Sequence, residues 1–239
     1  FQFKRMLACE AGTRSGEDPE DLHDMRVATR RMRAILRVCR PYIDWKAIKP
    51  YRKAIRRTAK KLGKVRDLDV YYEKMMRYLD NRAKDKRPNL EPLIEAWRRD
   101  HSRAREGLLT YLDGDRYRDF KDRFGEFLSA PLPAPDPVEA DGTIRPSLVR
   151  HVVPGIIYER LAQVCAYDGH ILRPDDPLCR YHRLRIAGKH LRYAFEFFVE
   201  VLDPEAEEII DHLKVLQDHL GDLQDAVIAV EKLQVFWLW

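Results

Sequence analysis

His23, Arg26, Arg30, Arg33 and Arg37 follow one another at spacings of 3, 4, 3 and 4 residues. On an α-helix, at 100° per residue, such a row falls within an arc of about 80°. Met25, Ala28, Met32, Ile35 and Leu36 take the roughly opposite side, which predicts an apolar face toward the core and a cationic face away from it. A guanidinium offers a planar fork that fits phosphate oxygens, and a lysine offers a compact charge. A ladder with one cation per helical turn therefore suits a polymer carrying one negative charge per short repeat. The following segment extends the pattern through Lys49, Lys53, Arg56, Lys60 and Lys64. Ten Lys/Arg and no acid lie between Lys46 and Arg66, and six Arg and no acid between Arg26 and Arg40. Like charge this dense opposes folding, and an anionic partner relieves it. One such row is more often a solvated helix face than a site, so its recurrence decides the reading.

The row does recur. DLHDMRVATRRMRAIL (21–36) aligns with RYHRLRIAGKHLRYAF (180–195), which matches His23 to His182, Arg26 to Arg185, Arg30 to Lys189 and Arg33 to Arg192. Met25, Ala28 and Met32 match Leu184, Ala187 and Leu191, with Phe198 further along the second apolar side. A second pair follows: IRRTAKKLGKVRDLDV (55–70) against LKVLQDHLGDLQDAVI (213–228), with Arg56 on Lys214, Leu62-Gly63 on Leu220-Gly221 and Asp67 on Asp225. The offsets, 159 and 158 residues, nearly agree. Such agreement reads as a duplicated helical unit. The copies are unequal. Gln217, Asp218 and His219 stand where the first copy has Ala59, Lys60 and Lys61, and His190 where it has Arg31, so the second half is expected to be less basic.

The elements that must hold these rows read as helices throughout. Asp18-Pro19-Glu20-Asp21 signals an N-cap, a proline at the first helical position and acids in the first turn. That helix is expected over 18–40, ending at Pro41. A second is expected from Trp45 or Pro50 to Gly63 as C-cap, a third over 66–83, and two more over 88–112 and 115–128. Residues 129–146, SAPLPAPDPVEADGTIRP, hold five prolines and one glycine and read as a linker. Helices are then expected near 147–171, 178–202, 204–220 and 222–238. No stretch alternates convincingly as a strand. The domain reading is a first helical half over 1–128, the linker, and a second half over 147–239.

Other features bound the function. The net charge of +5 and pI near 9.0 say less than the distribution of charge. No apolar run of 18 residues would span a membrane. Cys9, Cys39, Cys165 and Cys179 have neither CxxC nor metal-finger spacing, and are expected to be reduced thiols, mostly core filler, in a cytoplasmic protein. The start FQFKRMLACEAG is amphipathic, without signal-peptide layout. Lacking an initiator Met, it is expected to lie inside a longer chain. His23-Asp24 resembles a phosphohydrolase dipeptide, but the second copy has Arg183 there, and crowded arginines repel a metal cation. No P-loop, GxSxG or HExxH occurs. No metal, no cofactor and no catalytic residue is therefore expected. Asp67, Asp69, Asp222 and Asp225 follow the two glycines, and are expected to cap the next helices in preference to pairing with basic residues.

LHDMRVATRRMRAILRVCRPYI, its partner YHRLRIAGKHLRYAFEFF, and the two elements LGKVRDLDV and LGDLQDAV together resemble the CHAD family, the conserved histidine α-helical domain. The resemblance covers nearly the whole chain, and no β-rich triphosphate-tunnel segment accompanies it. It implies an all-α fold of two related four-helix-bundle halves with pseudo-twofold symmetry. It also implies inorganic polyphosphate as partner, bound in a basic groove or pore between the halves, and an association with polyphosphate granules for some members. The implied polyphosphate-binding residues are His23, Arg26, Arg30, Arg33, His182, Arg185, Lys189 and Arg192. Arg56, Lys60 and Lys214 are implied by the helices that follow, and Arg37 and Lys53 extend the same rows. Two other readings stay open. A nucleic-acid or general polyanion binder is disfavoured by arcs without aromatic stackers or Asn/Gln. A polyphosphate hydrolase lacks a metal site or base.

Overall fold

Asp18 opens the first basic helix as its composition predicts: its Oδ1 accepts the Glu20 N–H at 2.8 Å, and Pro19 takes the first helical position of α3 (Pro19–Val38). Two short helices precede it, α1 (Gln2–Ala8) and α2 (Glu10–Ser15). Gly16, at φ 71°, reverses the chain after α2. There the Arg105 side chain donates to the Arg14 and Ser15 carbonyls at 2.7 and 2.8 Å. A Cβ at residue 16 would stand 2.2 Å from that guanidinium and push it aside, and the positive φ itself favours glycine.

A 3-10 turn at Arg40–Tyr42 leads to α4 (Trp45–Asp80), whose start Asp44 caps by accepting from the Lys46 and Ala47 N–H groups. This helix is one continuous element of 36 residues. The break expected at Gly63 does not occur. A helical glycine costs only about 1 kcal/mol relative to alanine, while Leu62, Gly63 and Val65 are all buried on the core face, which outweighs it. Then come α5 (Glu91–Asp113) and α6 (Asp115–Ser129), hinged at Gly114. Beyond them lie α7 (Val149–Cys165), α8 (Leu178–Phe198), a 3-10 turn at Val199–Val201, and α9 (Glu205–Trp237). The second expected break, at Gly221, is likewise absent.

This computed structural model describes residues 1–42, 44–81, 90–130, 142, 144, 148–168, 170 and 177–237, with side chains as far as Val230. Most of the Pro-rich segment 129–146, and the expected helix ends at 83, at 88, near 171 and at 238, lie outside the described residues. All regular structure among the described residues is helical, and no helix there is long and apolar enough to cross a membrane.

The chain divides into two units, residues 1–36 with 43–132, and residues 37–42 with 133–239. In unit 1, α3 contributes Leu22, Met25, Ala28 and Met32 to a core shared with Ile55 and Leu62 of α4, Leu108 of α5 and Phe120 of α6. Phe3 of α1 packs edge-on against Phe124, with centroids 5.1 Å apart. A buried polar network pins the same corner. The Glu10 carboxylate accepts from Tyr117 at 3.0 Å, from Lys121 at 3.1 and 3.0 Å, and from Arg14 at 3.0 Å. Its burial raises the carboxyl pKa, and these donors more than reverse that, leaving it below the ordinary value.

Unit 2 has a smaller core of Leu191 and Phe195 (α8) against Ala206, Ile210 and Leu213 (α9), with Ile157 and Val164 of α7 beside it. Its described residues form three helices where four were expected. The cysteines are free thiols. Cys165 and Cys179 are exposed rather than core filler, while Cys9 and Cys39 are half-buried.

Candidate functional site

In unit 1, burial of Leu22, Met25, Ala28 and Met32 turns His23, Arg26, Arg30 and Arg33 to the half-buried flank of α3 and Arg37 to solvent. Ile35, expected in the core, is 38% exposed, because it lies at the edge of that apolar stripe. Arg26 donates through Nη2 to Asp67 Oδ1 at 3.1 Å. Its guanidinium lies along Gly63, where an added Cβ would stand 3.5 Å from Nε. Gly63 is therefore a place of close approach between α3 and α4, and not a cap. The aspartates expected to cap new helices lie inside continuous ones, where every nearby backbone N–H already has its helical acceptor. Asp67 instead pairs with Arg26, and Asp69 accepts from His101 Nε2 at 2.8 Å. Asp222 and Asp225 likewise sit inside α9.

Arg56, Lys60, Gly63 and Asp67 recur at spacings of 4, 3 and 4, so they share the stripe of α4 that meets Arg26. Lys53, Arg56 and Lys60 are exposed. His23 Nδ1 is buried and finds no hydrogen-bond partner among the described residues. Burial, then the Arg66 charge, then Arg30 hold its pKa below the ordinary histidine value, with Glu20 and Asp24 opposing. Arg66, which lies off the periodic rows, pairs with Glu73 at 3.2 Å and Glu20 at 3.8 Å.

In unit 2 the same construction is held by amides. His182 is exposed, and its Nδ1 meets Gln224 Oε1 at 2.7 Å. Arg185 is half-buried, and its guanidinium lies along Gly221, 3.8 Å from the position of an added Cβ. The Arg185 Nε is buried without a hydrogen-bond partner among the described residues. Arg192 Nε donates to Gln217 Oε1 at 3.1 Å, and its Nη1 donates to Glu196 Oε1 at 2.7 Å. The three pairings run up α8 and down α9, so the helices are antiparallel. Lys189 is half-buried, and Lys214 is exposed and pairs with Asp211 at 2.7 Å.

The structure thus brings Arg26 to the α4 stripe that carries Arg56 and Lys60, and His182, Arg185 and Arg192 to α9. Arg37 lies on the same helix but groups with unit 2, where its Nη1 meets His190 Nε2. Gln217 and Gln224 carry no charge, so a search for cationic rows does not single them out. Their positions on one stripe with Gly221 are the available signal.

Unit 1 also holds a cavity of about 350 Å³ lined by Asp18, Asp69, Glu73, Trp97, His101 and Arg105, among others. Three carboxylates line it, and Arg105 is committed to backbone carbonyls. Burial raises the Asp69 pKa, against the neighbouring His101 and Arg66. Such a cavity repels a polyanion, so the convex cationic helix faces, and not this concavity, are the candidate site. Among the described residues no cluster of three or more His, Cys, Asp or Glu is arranged to hold a metal ion.

Two uncharacterized proteins from strains of Mycobacterium tuberculosis are each 26% identical to this chain over 238 residues, 97% of its length. The chain spans 43% of those relatives. Among solved structures, the CHAD domain from the plant Ricinus communis matches with a TM-score of 0.75 at 24% identity, covering 98% of this chain and 75% of that one. PptA from Streptomyces chartreusis matches with a TM-score of 0.65 at 16% identity, covering 97% and 81%. These likenesses show the fold. The family model of the CHAD domain matches residues 1–234, and the chain belongs to the CHAD domain family.

Proposed function

We propose that this chain binds long inorganic polyphosphate through the cationic face of each unit and does not hydrolyse it. CHAD is a polyphosphate-related domain family, and membership supports the ligand class. The observation that carries the reading is the recurrence of one construction. In each unit an arginine three residues after a histidine lays its guanidinium along a helix-interior glycine, Arg26 on Gly63 and Arg185 on Gly221. That recurrence also supports the duplicated architecture, with the two halves as related copies. A glycine there lets each guanidinium lie close along the next helix. Arg30, Arg33, Arg56 and Lys60 continue the charge in unit 1, and Lys189, Arg192 and Lys214 continue it in unit 2. Binding of this kind is salt-sensitive and needs no metal. In the cell it fits a cytoplasmic protein that stores, marks or tethers polyphosphate, at granules where these exist.

The test is a competition titration. Labelled long-chain polyphosphate is bound at physiological salt and challenged with RNA, duplex DNA and short polyphosphate, while free phosphate is followed. Displacement by polyphosphate alone, without phosphate release, is the expected result. Equal competition by nucleic acid would make the faces general polyanion surfaces. Phosphate release that a chelator stops would make the protein a hydrolase.

A further inference from the structure

Asp69, Tyr72 and Glu73 of α4, and Trp97, His101 and Arg105 of α5, recur at helical spacings, so each set forms one stripe. Both stripes line the cavity of about 350 Å³ in unit 1, with Asp18 and Leu22 at the start of α3. That is room enough for a small organic molecule. Tyr72 and His101 both stack on Trp97, with ring centroids 4.2 and 4.9 Å away. Trp97 Nε1 donates to the Leu68 carbonyl at 2.8 Å, which pins the ring. The wall is therefore aromatic and fixed. The charges beside it are unequally matched. Glu73 is paired with Arg66 at 3.2 Å, and Arg105 spends its donors on the Arg14 and Ser15 carbonyls. Asp18, exposed, caps α3 through Oδ1 and has no ion pair among the described residues. Asp69 lies deeper, its side chain only 15% exposed. Its Oδ1 accepts from His101 Nε2 at 2.8 Å, and its Oδ2 has no hydrogen-bond partner among the described residues. A shielded carboxylate with one oxygen unbonded is costly, and a cationic donor offsets that cost. Burial accordingly pushes the Asp69 carboxyl up. Among the described residues no three acids or histidines are arranged to hold a metal ion. Two separated carboxylates beside an apolar wall instead match two positive charges joined by an apolar chain.

We propose that this cavity binds a short aliphatic diamine. One ammonium group donates to Asp69 Oδ2, the methylene chain lies along the Trp97 and Tyr72 wall, and the second ammonium group reaches Asp18 at the mouth. Alkylamines, like lysine, are charged near neutral pH, so they enter as cations and no proton or covalent bond changes hands. His101 keeps its bond to Asp69 Oδ1 throughout. The Glu73–Arg66 pair and the Arg105 charge leave no third carboxylate in want of a cation, which favours a diamine over a longer polyamine. The proposal stands apart from the polyphosphate reading: it uses the acidic cavity of unit 1 and none of the cationic rows.

The experiment is calorimetric titration of the whole chain, without polyphosphate, near pH 7 and at constant ionic strength. The probes are propane-, butane-, pentane- and hexanediamine with terminal amino groups, butylamine, and magnesium chloride. The variants are Asp69→Asn, Asp18→Asn and, as a control outside the cavity, Asp115→Asn, whose side chain is 90% exposed. Asparagine at 69 retains an acceptor for His101, and asparagine at 18 remains a good helix cap, so each removes charge with little change of shape. We expect one diamine per chain, with one chain length preferred. Butylamine should bind roughly tenfold more weakly, as loss of one charge-assisted contact requires. Asp69→Asn should weaken diamine and butylamine alike by about the same factor. Asp18→Asn should bring the diamine down to the butylamine level and leave butylamine unchanged. Asp115→Asn should match wild type. Absence of diamine binding at millimolar concentration overturns the proposal, and so does equal affinity for butylamine and the diamines. Displacement of the diamine by magnesium at equal charge, or equal losses in Asp69→Asn and Asp115→Asn, would make it a general counterion and overturn the site. If Asp69→Asn is not folded by circular dichroism, the contrast of diamine with butylamine in Asp18→Asn decides alone.

Discussion

The two basic helices carry matched rows, yet the partners they meet differ in kind. Against α3 lies α4, whose stripe of Arg56, Lys60, Gly63 and Asp67 adds cations and one acid that pairs with Arg26. Against α8 lies α9, whose stripe of Lys214, Gln217, Gly221 and Gln224 adds mostly neutral amides, and these hold Arg192 and His182 at hydrogen-bond distance. Unit 1 therefore concentrates charge, and unit 2 orients fewer charges by fixed contacts. Concentrated charge supplies long-range attraction that salt screens, while oriented donors supply contacts that persist at higher salt.

The largest expected effect breaks both regions at once. Arg30→Glu with Arg185→Glu should abolish polyphosphate binding, a loss of 100-fold or more on the order of several charge-assisted contacts reversed, with helical content unchanged by circular dichroism. Wild-type affinity in that folded double variant would end the site assignment. Split by unit, Arg30→Glu with Lys60→Glu should cost more than Lys189→Glu with Lys214→Glu, and should flatten the slope of log affinity against log salt more. Equal losses and equal slopes would mean that the inequality between α4 and α9 has no consequence for the ligand.

The next effect is on stability and lies in unit 2. The Arg192 and Glu196 side chains are each only 15% exposed and bonded at 2.7 Å, and Gln217 Oε1 is the acceptor of the Arg192 Nε. Arg192→Ala leaves a shielded carboxylate short of its cation. It should cost about 2 kcal/mol or more, within the range for breaking such a pair, read by denaturant melts. Arg56→Ala, on the exposed α4 stripe, should change stability by less than about 0.5 kcal/mol while weakening binding. Arg192 is thus as much a structural residue as a proposed ligand contact, which its place in the row does not reveal.

Much of this is legible in the residues alone. The rows, their apolar backs, the helix starts at Asp18-Pro19 and the 159/158 offset all follow from periodicity and caps, which are local. What is not legible there is tertiary. A glycine after a leucine reads equally as a helix end or as a place where another helix comes close, and only the neighbour decides. At Gly63 and Gly221 the neighbour is an arginine from the preceding basic helix. The same holds for the aspartates read as caps, because Asp67 and Asp69 find side-chain partners on α3 and α5. Glu10, Tyr117 and Lys121 meet over more than 100 residues of sequence, a distance no spacing rule spans.

Acid should separate the two regions by pH window. His190 titrates at about 4 in the folded protein and near 6.5 in an unfolded chain. Between those values the unfolded state binds more protons, so stability falls as pH drops through this window. His23, also lowered, acts in the same sense. Glu10 of unit 1 is held below its ordinary value. Its contribution is complete above the unfolded carboxyl value near 4.3, and is lost as pH falls through its folded value. Melting temperatures from pH 8 to 3 should decline in two stages. His190→Gln should soften the first, and Glu10→Gln should remove part of the second at the cost of lower stability near pH 7. A single decline that neither variant alters would refute this division.

The smallest effect tests the corrected role of the glycines. Were Gly63 a left-handed cap, alanine there would be destabilising. Inside α4, alanine should instead gain as much as about 1 kcal/mol of helix propensity, since its Cβ would meet Arg26 Nε at 3.5 Å, an ordinary contact. The same methyl covers part of the Arg26 guanidinium, so polyphosphate affinity should fall by about threefold, a fraction of one charge-assisted contact. Gly221→Ala should behave alike through Arg185, where the added Cβ stands 3.8 Å from Nε, with a weaker effect on binding because the approach is looser. A more stable, more weakly binding Gly63→Ala shows that the glycine serves the ligand face and not the helix end. A destabilised variant with unchanged affinity shows the reverse, and the parallel between Arg26 and Arg185 then has no bearing on binding.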